Sequence, residues 1–473
     1  MHPPAGTAHP INPWLIFPVT AIGTLIASLD AGIVVVALPV MARDFGANLS
    51  MVQWVLSAFL LSVSCVLPLA GRLGEIHSGR RVFLIGMAVF ILGTVLCWQS
   101  RTLWQLVAAR VVQGGAAALI MAMIPAIIME IFPGKERGRA LGLNATIVAL
   151  GLLAGPGLGG LLIAHFGWPF IFLANVPLGV LGLVLGLWLL PRGRPAGDER
   201  LDLTGAGLFA VGMAALLIGV SHGNDWGWGT LPVILCGAVA FVALDAFHCF
   251  ERLTPFPLVD FNVVGTPRFL LPSLSSMIAY ATLYAVNVLM PFYLHQRLHM
   301  TPQVMGMMLT VAPAVTLIVA PVSGWLSEKV RPSYLSAAGL GLISVGLVAQ
   351  LRLDDASDPG RIALGLVLIG LGFGLFSSPN NNTILSSAPA HKSGLAGGLL
   401  ALMRNLGMVC GVALATATFE TLNTLATNTL AAAGGDRPFY PGFRAALAVA
   451  ASLAVVAALL SLARARMGGN DGF

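Results

Sequence analysis

The sequence has 473 residues, of which 57% are hydrophobic and only 9% are charged. Soluble domains carry about 25% charged residues, so this composition excludes a soluble protein and predicts a polytopic membrane protein. The formal net charge of +6 could indicate a nucleic-acid partner, but the basic residues are scattered through short loops, which favours a role in membrane orientation. The five cysteines fit neither a disulfide framework nor a metal site.

Fourteen apolar runs are long enough to cross a bilayer, and only short loops separate them. We number them spans 1 to 14. The segment before span 1 lacks the basic region of a signal peptide, and span 1 is too long for one, so we expect it to be retained. The predicted spans cover residues 14–39, 52–71, 82–99, 103–129, 140–164, 168–190, 203–221, 231–250, 269–294, 303–326, 333–351, 362–386, 394–419 and 442–463.

The loop charges predict the orientation of the chain. An even number of spans places both termini on the same side of the membrane. Lys and Arg are clearly more numerous in the loops on that side than in the loops on the other. The positive-inside rule therefore predicts an integral protein of the cytoplasmic (inner) membrane with both termini in the cytoplasm.

An internal repeat relates the first six spans to the last six. Residues 71–81 after span 2 are similar to residues 324–334 after span 10, and Leu38-Pro39 recurs as Met290-Pro291 at nearly the same offset. The repeat predicts two parallel six-helix bundles with an inserted two-helix hairpin, the build of a rocker-type secondary transporter. The predicted parts are a cytoplasmic N-terminus (1–13), a six-helix bundle (14–191), spans 7 and 8 with their flanking loops (192–265), a second six-helix bundle (266–464) and a cytoplasmic tail (465–473).

Two charged residues lie inside spans at a similar depth. Asp30 is the only charged residue of span 1, and Arg110 lies within span 4. A charge near the centre of a bilayer costs at least about 2.5–3.5 kcal/mol, so such residues are functional by default. An ion pair would offset much of this cost, and a site that alternately pairs and unpairs Asp30 would release and take up a proton. The alternative is a static pair that only fixes helix packing.

A short loop that combines glycines with charges follows span 2. Glycines allow a tight turn there. The carboxylate of Glu75 could face a helix N-terminus, where the dipole favours an anion, and Glu130 could pair with Arg80 or Arg81. Such contacts would latch one conformation, whereas the alternative is a simple positive-inside anchor. The predicted gating residues are Gly71, Glu75, Gly79, Arg80, Arg81 and Glu130.

A dense run of small residues lies in span 5, over residues 149–160. A proline in this run removes a helix hydrogen bond and bends the helix, while glycines permit close contact with a neighbouring helix. The density of the run favours a special bend over a generic packing helix. Its key residues are Gly151, Gly155, Pro156 and Gly159.

Three polar residues inside the spans are candidates for lining a central cavity. Arg404 lies within span 13 without an obvious acidic partner, so it could face such a cavity or bond to backbone carbonyls. Gln113 and Asn287 lie in spans 4 and 9. The sequence contains no P-loop pattern and no metal-ligand cluster, so we expect neither an enzyme nor an ATP-driven pump, and no cofactor or metal.

Taken together, these motifs resemble the major facilitator superfamily, and within it the fourteen-helix drug:proton antiporters of the multidrug efflux type. Residues 29–39 resemble the helix 1 signature of the family, 71–81 its motif A and 110–114 its motif B. Residues 151–160 resemble the antiporter motif C, and 167–179 resemble the stretch that opens helix 6 in the fourteen-helix branch.

This resemblance implies an all-α major facilitator fold with 14 transmembrane helices and export of lipophilic, often cationic compounds. It also implies that Asp30 and Arg110 serve proton coupling, that motif A gates the inward side, and that motif C bends its helix for antiport. The sequence departs from the family pattern around Asp30, because Gly32 and Val35 replace frequent Thr and Asn residues and make these surroundings drier. It also carries Arg404 and lacks the helix 10 carboxylate of some relatives, so quaternary ammonium substrates are not assumed.

The sequence therefore predicts a proton-coupled antiporter that exports small amphipathic or lipophilic compounds, drugs or metabolites, by alternating access. The expected partners are protons, a small-molecule substrate and the lipid bilayer, with no nucleic acid, and the protein is expected to be a monomer. One alternative is a proton-coupled uptake symporter of a small metabolite, which the motif C bend disfavours. Another is a non-transporting membrane sensor or scaffold, which the Asp30–Arg110 pair and the lack of a soluble domain disfavour.

Overall fold

The computed structural model describes residues 12–191, 203–254, 265–387, 393–430 and 439–467. Within these ranges every regular element is a helix, and we number the helices in chain order. They are α1 (Pro13–Asp44), α2 (Leu49–Val52), α3 (Trp54–His77), α4 (Gly79–Gln99), α5 (Leu103–Ile131), α6 (Gly134–Phe166), α7 (Phe170–Leu173), α8 (Asn175–Leu189), α9 (Leu203–Trp226), α10 (Leu231–Leu253), α11 (Pro267–Gln296), α12 (Pro302–Leu326), α13 (Pro332–Gln350), α14 (Pro359–Ser386), α15 (Ser393–Leu430) and α16 (Tyr440–Met467).

The predicted spans are confirmed. In the described part of the chain, 13 helical segments are long and apolar enough to cross a membrane, and a shorter apolar segment, Thr204–Val220 within α9, corresponds to span 7. Span 2 comprises α2 and α3, and span 6 comprises α7 and α8. Several predicted parts lie partly outside the described residues. These are the N-terminal segment (1–11), the loops that flank spans 7 and 8 (192–202 and 255–264) and the C-terminal tail (468–473).

Local sequence explains where the helices begin and end. The helices α11 to α14 each begin with a proline, whose fixed φ and missing N–H suit the first turn of a helix. The helix α6 is capped at its C-terminal end by Gly167, which has a φ of 88°, a conformation that glycine adopts without a steric penalty. Between α7 and α8 the helix is interrupted at Ala174, and this break places Asn175 at the first position of α8.

The helix pairings of the first six spans recur in the last six. In the first set, α1 packs on α6 and α5 packs on both α3 and α4; in the second set, α11 packs on α15 and α14 packs on both α12 and α13. The pairs α1–α8 and α4–α8 likewise correspond to α11–α16 and α13–α16. We refer to these two sets as the first half and the second half.

The halves meet mainly where α6 packs on α12, α3 on α15, and α1 on α11. The helices α9 and α10 pair with each other, and α9 also contacts α3 and α15, so this hairpin lies beside the junction of the halves. The start of α1 and the end of α16 lie at the same end of the bundle, as an even number of spans requires. We call this end the terminal side and the opposite end the far side.

Candidate functional site

The side chains of Asp30 and Arg110 meet inside the first half, where α1 contacts α5. The Nη1 atom of Arg110 lies 2.6 Å from Oδ2 of Asp30, and both side chains are fully buried. The Nε atom of Arg110 also donates a hydrogen bond to the Val55 carbonyl oxygen at 2.9 Å. The ring centroid of Phe59 lies 4.1 Å from the guanidinium carbon of Arg110. The pair is therefore enclosed by α1, α3 and α5 and is shielded from water.

Gln113 connects both members of the pair to α4. It lies one turn after Arg110 on α5, accepts a hydrogen bond from the Nη1 atom of Arg110, and donates through Nε2 to Oδ1 of Asp30 at 3.1 Å. The same Nε2 donates to Oγ1 of Thr94 at 3.0 Å. Gln113 is fully buried. It therefore belongs to the ion-pair cluster, and the expectation that it lines a cavity is wrong for this structure.

Asn175 is a fourth member of the cluster, and the sequence did not single it out. Its Nδ2 lies 3.4 Å from Oδ1 of Asp30, at the limit of a hydrogen bond. Two atoms of the cluster, Oδ1 of Asn175 and Nη2 of Arg110, are buried without a hydrogen-bond partner. Unsatisfied buried polar atoms are rare in folded proteins, and each requires an explanation such as a function or a water molecule.

The predicted gating residues lie at the terminal side, around the turn between α3 and α4. Ser78 forms this turn with a φ of 107°. The Nη2 atom of Arg80 donates to the carbonyl oxygen of Leu187 in α8 at 2.6 Å. Glu130 is exposed, and among the described residues no ion pair joins it to Arg80 or Arg81. The predicted pairing of Glu130 is therefore absent, because a backbone carbonyl takes its place as the acceptor for Arg80.

The other three gating residues lie at the end of α3 and the start of α4. The backbone of Glu75 belongs to α3, but its side chain lies outside the described part of the structure. At Gly71 an added Cβ would meet nothing within 4 Å, and at Gly79 its nearest contacts would be at 3.7 Å. Packing in this conformation therefore does not require glycine at either position.

The helix α6 packs against α1 almost backbone to backbone, directly beside Asp30. An added Cβ at Gly155 would lie 2.9 Å from the Cα atom of Gly32. At Gly151 and Gly159 it would approach backbone atoms of α1 to 3.1 and 2.9 Å. These three glycines are spaced four residues apart and so lie on one face of the helix. Glycine in this run therefore allows α6 to approach α1 at the level of the ion pair.

The same helix also packs closely against the second half. A Cβ at Gly160 would collide with the carbonyl oxygen of Pro302 in α12, and a Cβ at Gly306 would collide with the carbonyl oxygen of Pro156. Three positions before Gly160 on α6, a Cβ at Gly157 would lie 3.4 Å from the hydroxyl oxygen of Thr310. We call these contacts the far-side contact, because they involve the end of α6 and the start of α12.

The terminal end of α6 differs from its far end. At Gly138 and Gly142 an added Cβ would meet nothing within 4 Å. The first half therefore touches α12 near the far side, while these positions of α6 near the terminal side face open space. This difference is typical of a transporter whose two halves are closed on one side and separated on the other.

Arg404 lies about a third of the way along α15 without a charged partner. Its guanidinium carbon is 5.9 Å from the ring centroid of Tyr280 in α11, and its Nε is buried without a hydrogen-bond partner. No described residue forms an ion pair with it. Asn287, one helix away on α11, is partly exposed. Of the two predicted possibilities for Arg404, bonding to carbonyls is not observed.

An exposed cluster of polar residues lies outside the spans on the far side. The Nε and Nη2 atoms of Arg297 donate to the two carboxylate oxygens of Asp355 at 2.8 and 2.6 Å, and the Tyr440 hydroxyl also donates to Asp355. The hydrogen bonds from Arg297 and then Tyr440 hold the pKa of Asp355 below its ordinary value. The same bonds raise the pKa of Arg297. This cluster joins the loop before α14 to α11 and α16.

Comparisons with known proteins fit this arrangement. A family model described as the Major Facilitator Superfamily matches residues 20–412 and 273–468. The chain is 32% identical over 404 residues to Riboflavin transporter RibZ of Clostridioides difficile, which covers 85% of this chain and 87% of that protein. It is 31% identical over 395 residues to Multidrug resistance protein Stp of Mycobacterium tuberculosis, and the match covers 83% of this chain and 73% of that protein. A crystal structure of the peptide transporter POT in complex with sulfate has a TM-score of 0.72 at 15% identity, covering 99% of this chain and 97% of that chain, which shows a common fold.

Proposed function

Because the chain belongs to the Major Facilitator Superfamily, we propose that it is a proton-coupled antiporter that exports small amphipathic or lipophilic compounds by alternating access. The predicted family resemblance is confirmed by the family match and by the relative named as a multidrug resistance protein. The protein is accordingly a membrane transporter and not an enzyme. The proposal adds proton coupling, antiport, alternating access, a monomeric state, and a location in the cytoplasmic membrane with both termini in the cytoplasm.

The buried ion pair is the observation that carries the proposal. Asp30 is fully buried and is held by Arg110, Gln113 and Asn175. An arginine beside a carboxylate favours its charged form, whereas burial without a cation favours the protonated form. If Arg110 moves away, Asp30 takes up a proton, and when Arg110 returns, the proton is released. The two unsatisfied atoms of the cluster support such an exchange of partners.

The far-side contact supports alternating access. With the terminal side in the cytoplasm, as the loop charges favour, the far-side contact joins the halves towards the outside, and the open space at Gly138 and Gly142 supports an inward-open state. Opening outwards requires α6 and α12 to separate at Gly160 and Gly306. The gating role predicted for the loop 71–81 belongs to the outward-open state, in which the terminal side closes.

One proton is sufficient to drive export. A charge that crosses a membrane potential of about 150 mV gains roughly 3.5 kcal/mol, at about 2.3 kcal/mol per 100 mV. Since 1.4 kcal/mol corresponds to a factor of ten, this energy sustains a gradient of about 300-fold for a neutral substrate. No second energy source is required.

Proton release from purified protein tests the coupling role of Asp30. Candidate drugs and metabolites are added to weakly buffered wild type, Asp30→Asn and a control, Asp245→Asn, which removes an exposed carboxylate from α10. We expect a transported compound to release protons from the wild type and the control but not from Asp30→Asn. Equal release from Asp30→Asn would assign the proton to another group.

The relative named as a riboflavin transporter favours a second candidate, a proton-coupled uptake symporter of a small metabolite. The two functions differ in direction and can be separated in membrane vesicles. An exporter loads inside-out vesicles whose interior has been acidified, because protons leave as substrate enters. A symporter instead loads right-side-out vesicles when protons flow inwards.

A further inference from the structure

Arg404 carries a positive charge that the described protein does not compensate. It lies well inside α15, no described residue forms a hydrogen bond or ion pair with it, and its Nε is buried without an acceptor. An uncompensated cation at this depth is costly, and charged residues inside membrane spans therefore mark substrate or ion pathways. A structural role would be expected to supply a partner, as the first half does for Arg110.

The surroundings of Arg404 face the junction of the halves rather than lipid. Tyr280 lies beside the guanidinium group and meets Phe373 of α14 edge to face, with ring centroids 5.0 Å apart. Tyr284 lies one turn after Tyr280 on α11 and is buried. The helix α11 packs on α1, and α15 packs on α3, so both helices that carry this region border the first half.

The balance of charge determines what this region attracts. While Asp30 and Arg110 are paired, their charges cancel, and Arg404 remains as the uncompensated charge of the region. A guanidinium group binds carboxylates strongly through paired hydrogen bonds, and it repels cations, which lose affinity for lack of a counter-charge. The ring of Tyr280, against which the buried Phe373 packs edge to face, adds an apolar aromatic surface beside it.

Building on the proposed transport function, we propose that the preferred substrates are aromatic amphipathic anions, with the anionic group on Arg404 and the ring system against Tyr280. Asn287 lies on the same helix as Tyr280, two turns further along, and is partly exposed. It offers a neutral hydrogen bond to the remainder of such a molecule. The substrate thus supplies the counter-charge that Arg404 lacks.

Three probes with the same ring and chain test this proposal: pyrene-1-butyrate (anionic), 1-pyrenebutanol (neutral) and pyrenebutyl-trimethylammonium (cationic). Their binding to full-length purified protein is measured by energy transfer from tryptophan to pyrene. The variants are Arg404→Gln, Arg404→Lys and a control, Arg101→Gln, which removes an exposed arginine on the far side. Tryptophan fluorescence melting checks that each variant is folded.

We expect the wild type to bind the butyrate at least about tenfold more tightly than the alcohol, equivalent to 1.4 kcal/mol, and to bind the cation most weakly. Arg404→Gln should remove the preference for the butyrate while changing alcohol affinity less than about twofold. Arg404→Lys should keep part of the preference, because it keeps the charge, and the control should keep all of it.

The proposal is overturned if the wild type binds none of the probes, binds the cation as tightly as the anion, or loses affinity for all three equally in Arg404→Gln. Proton coupling is judged separately by Asp30→Asn, whose butyrate preference should persist because Arg404 is intact. Anion preference without proton release would therefore refute the proposed antiport and leave the substrate class standing. Proton release without anion preference would refute the proposed substrate class and leave the proposed antiport standing.

Discussion

Removing one member of the Asp30–Arg110 pair should destabilise the protein far more than removing both. In Asp30→Asn the guanidinium group stays fully buried and loses its counter-charge. In Arg110→Gln the carboxylate is the charge left alone. In the double variant, two neutral amides replace the ions, and Gln113 can bond to either of them.

The geometry gives the size of the effect. Nitrogen and oxygen are 2.6 Å apart, and neither side chain is exposed, so the pair belongs to the buried class, in which loss of one partner costs about 3–5 kcal/mol and joint replacement is often neutral. The Val55 carbonyl and Gln113 still bond to Arg110 after its anion is lost, which favours the lower end of this range. We expect each single variant to lose about 3 kcal/mol and the double variant about 1 kcal/mol or less.

The two single variants should differ in their response to pH. The lone carboxylate of Arg110→Gln can be neutralised by a proton, so its loss of stability should shrink as the pH falls. The guanidinium group of Asp30→Asn cannot lose its proton under these conditions, so its loss should stay constant between pH 7 and pH 5.

Unfolding by SDS in mixed micelles, followed by the fluorescence of the nine tryptophans, measures all four proteins at both pH values. If the double variant lost the sum of the two single losses, Asp30 and Arg110 would act independently. The description of the cluster as a mutually neutralising pair would then be wrong.

Two further predictions concern the contacts on the far side. Gly160→Val should force the halves apart, and the reporter is Thr310→Cys in a variant without native cysteines, whose thiol should then react faster with an impermeant maleimide. The control is Gly138→Val, where a side chain meets open space and the rate of maleimide labelling should stay unchanged. Equal labelling rates in Gly160→Val and Gly138→Val would contradict this role of the contact. Asp355→Asn should lower the melting temperature at pH 7. Because its bonds to Arg297 lower the pKa of Asp355, their stabilisation is fully present above the ordinary carboxyl pKa of about 3.9 and is lost only as the pH falls on through the lowered pKa. The difference in melting temperature should therefore shrink progressively at acidic pH, and a difference independent of pH would exclude the charge as its cause.

The sequence was sufficient where the helix itself determines geometry. A rise of about 1.5 Å per residue placed Asp30 and Arg110 at one depth, and the structure brings them into contact. Gln113 could have been added to the pair by the same reasoning, because residues three positions apart lie on one face of a helix. The glycine run likewise predicted a close helix contact.

The sequence was insufficient where tertiary packing chooses the partner. Asn175 reaches Asp30 because α8 packs on α1, and no pattern in the sequence fixes which face of α8 meets that helix. Arg80 bonds to the backbone carbonyl of Leu187, and every residue offers such an acceptor, so side-chain types could not indicate it. The depth of Arg404 was evident, but its orientation depended on how α15 packs on α11.

At Gly155 and Gly160 the helix α6 meets backbone atoms of its neighbours rather than side chains, and this limits how the protein can respond to a change at Asp30. Contacts between side chains absorb small displacements by changing rotamers, but a contact of backbone on backbone has no such freedom. Gly155 meets Gly32, two residues from Asp30, and Gly160 of the same helix meets Gly306 of the other half. These two contacts are separated by about 7.5 Å of helix. A shift of α1 is therefore expected to move α6 by a similar distance. The helix α6 thus couples the proposed proton site rigidly to the surface along which the halves separate.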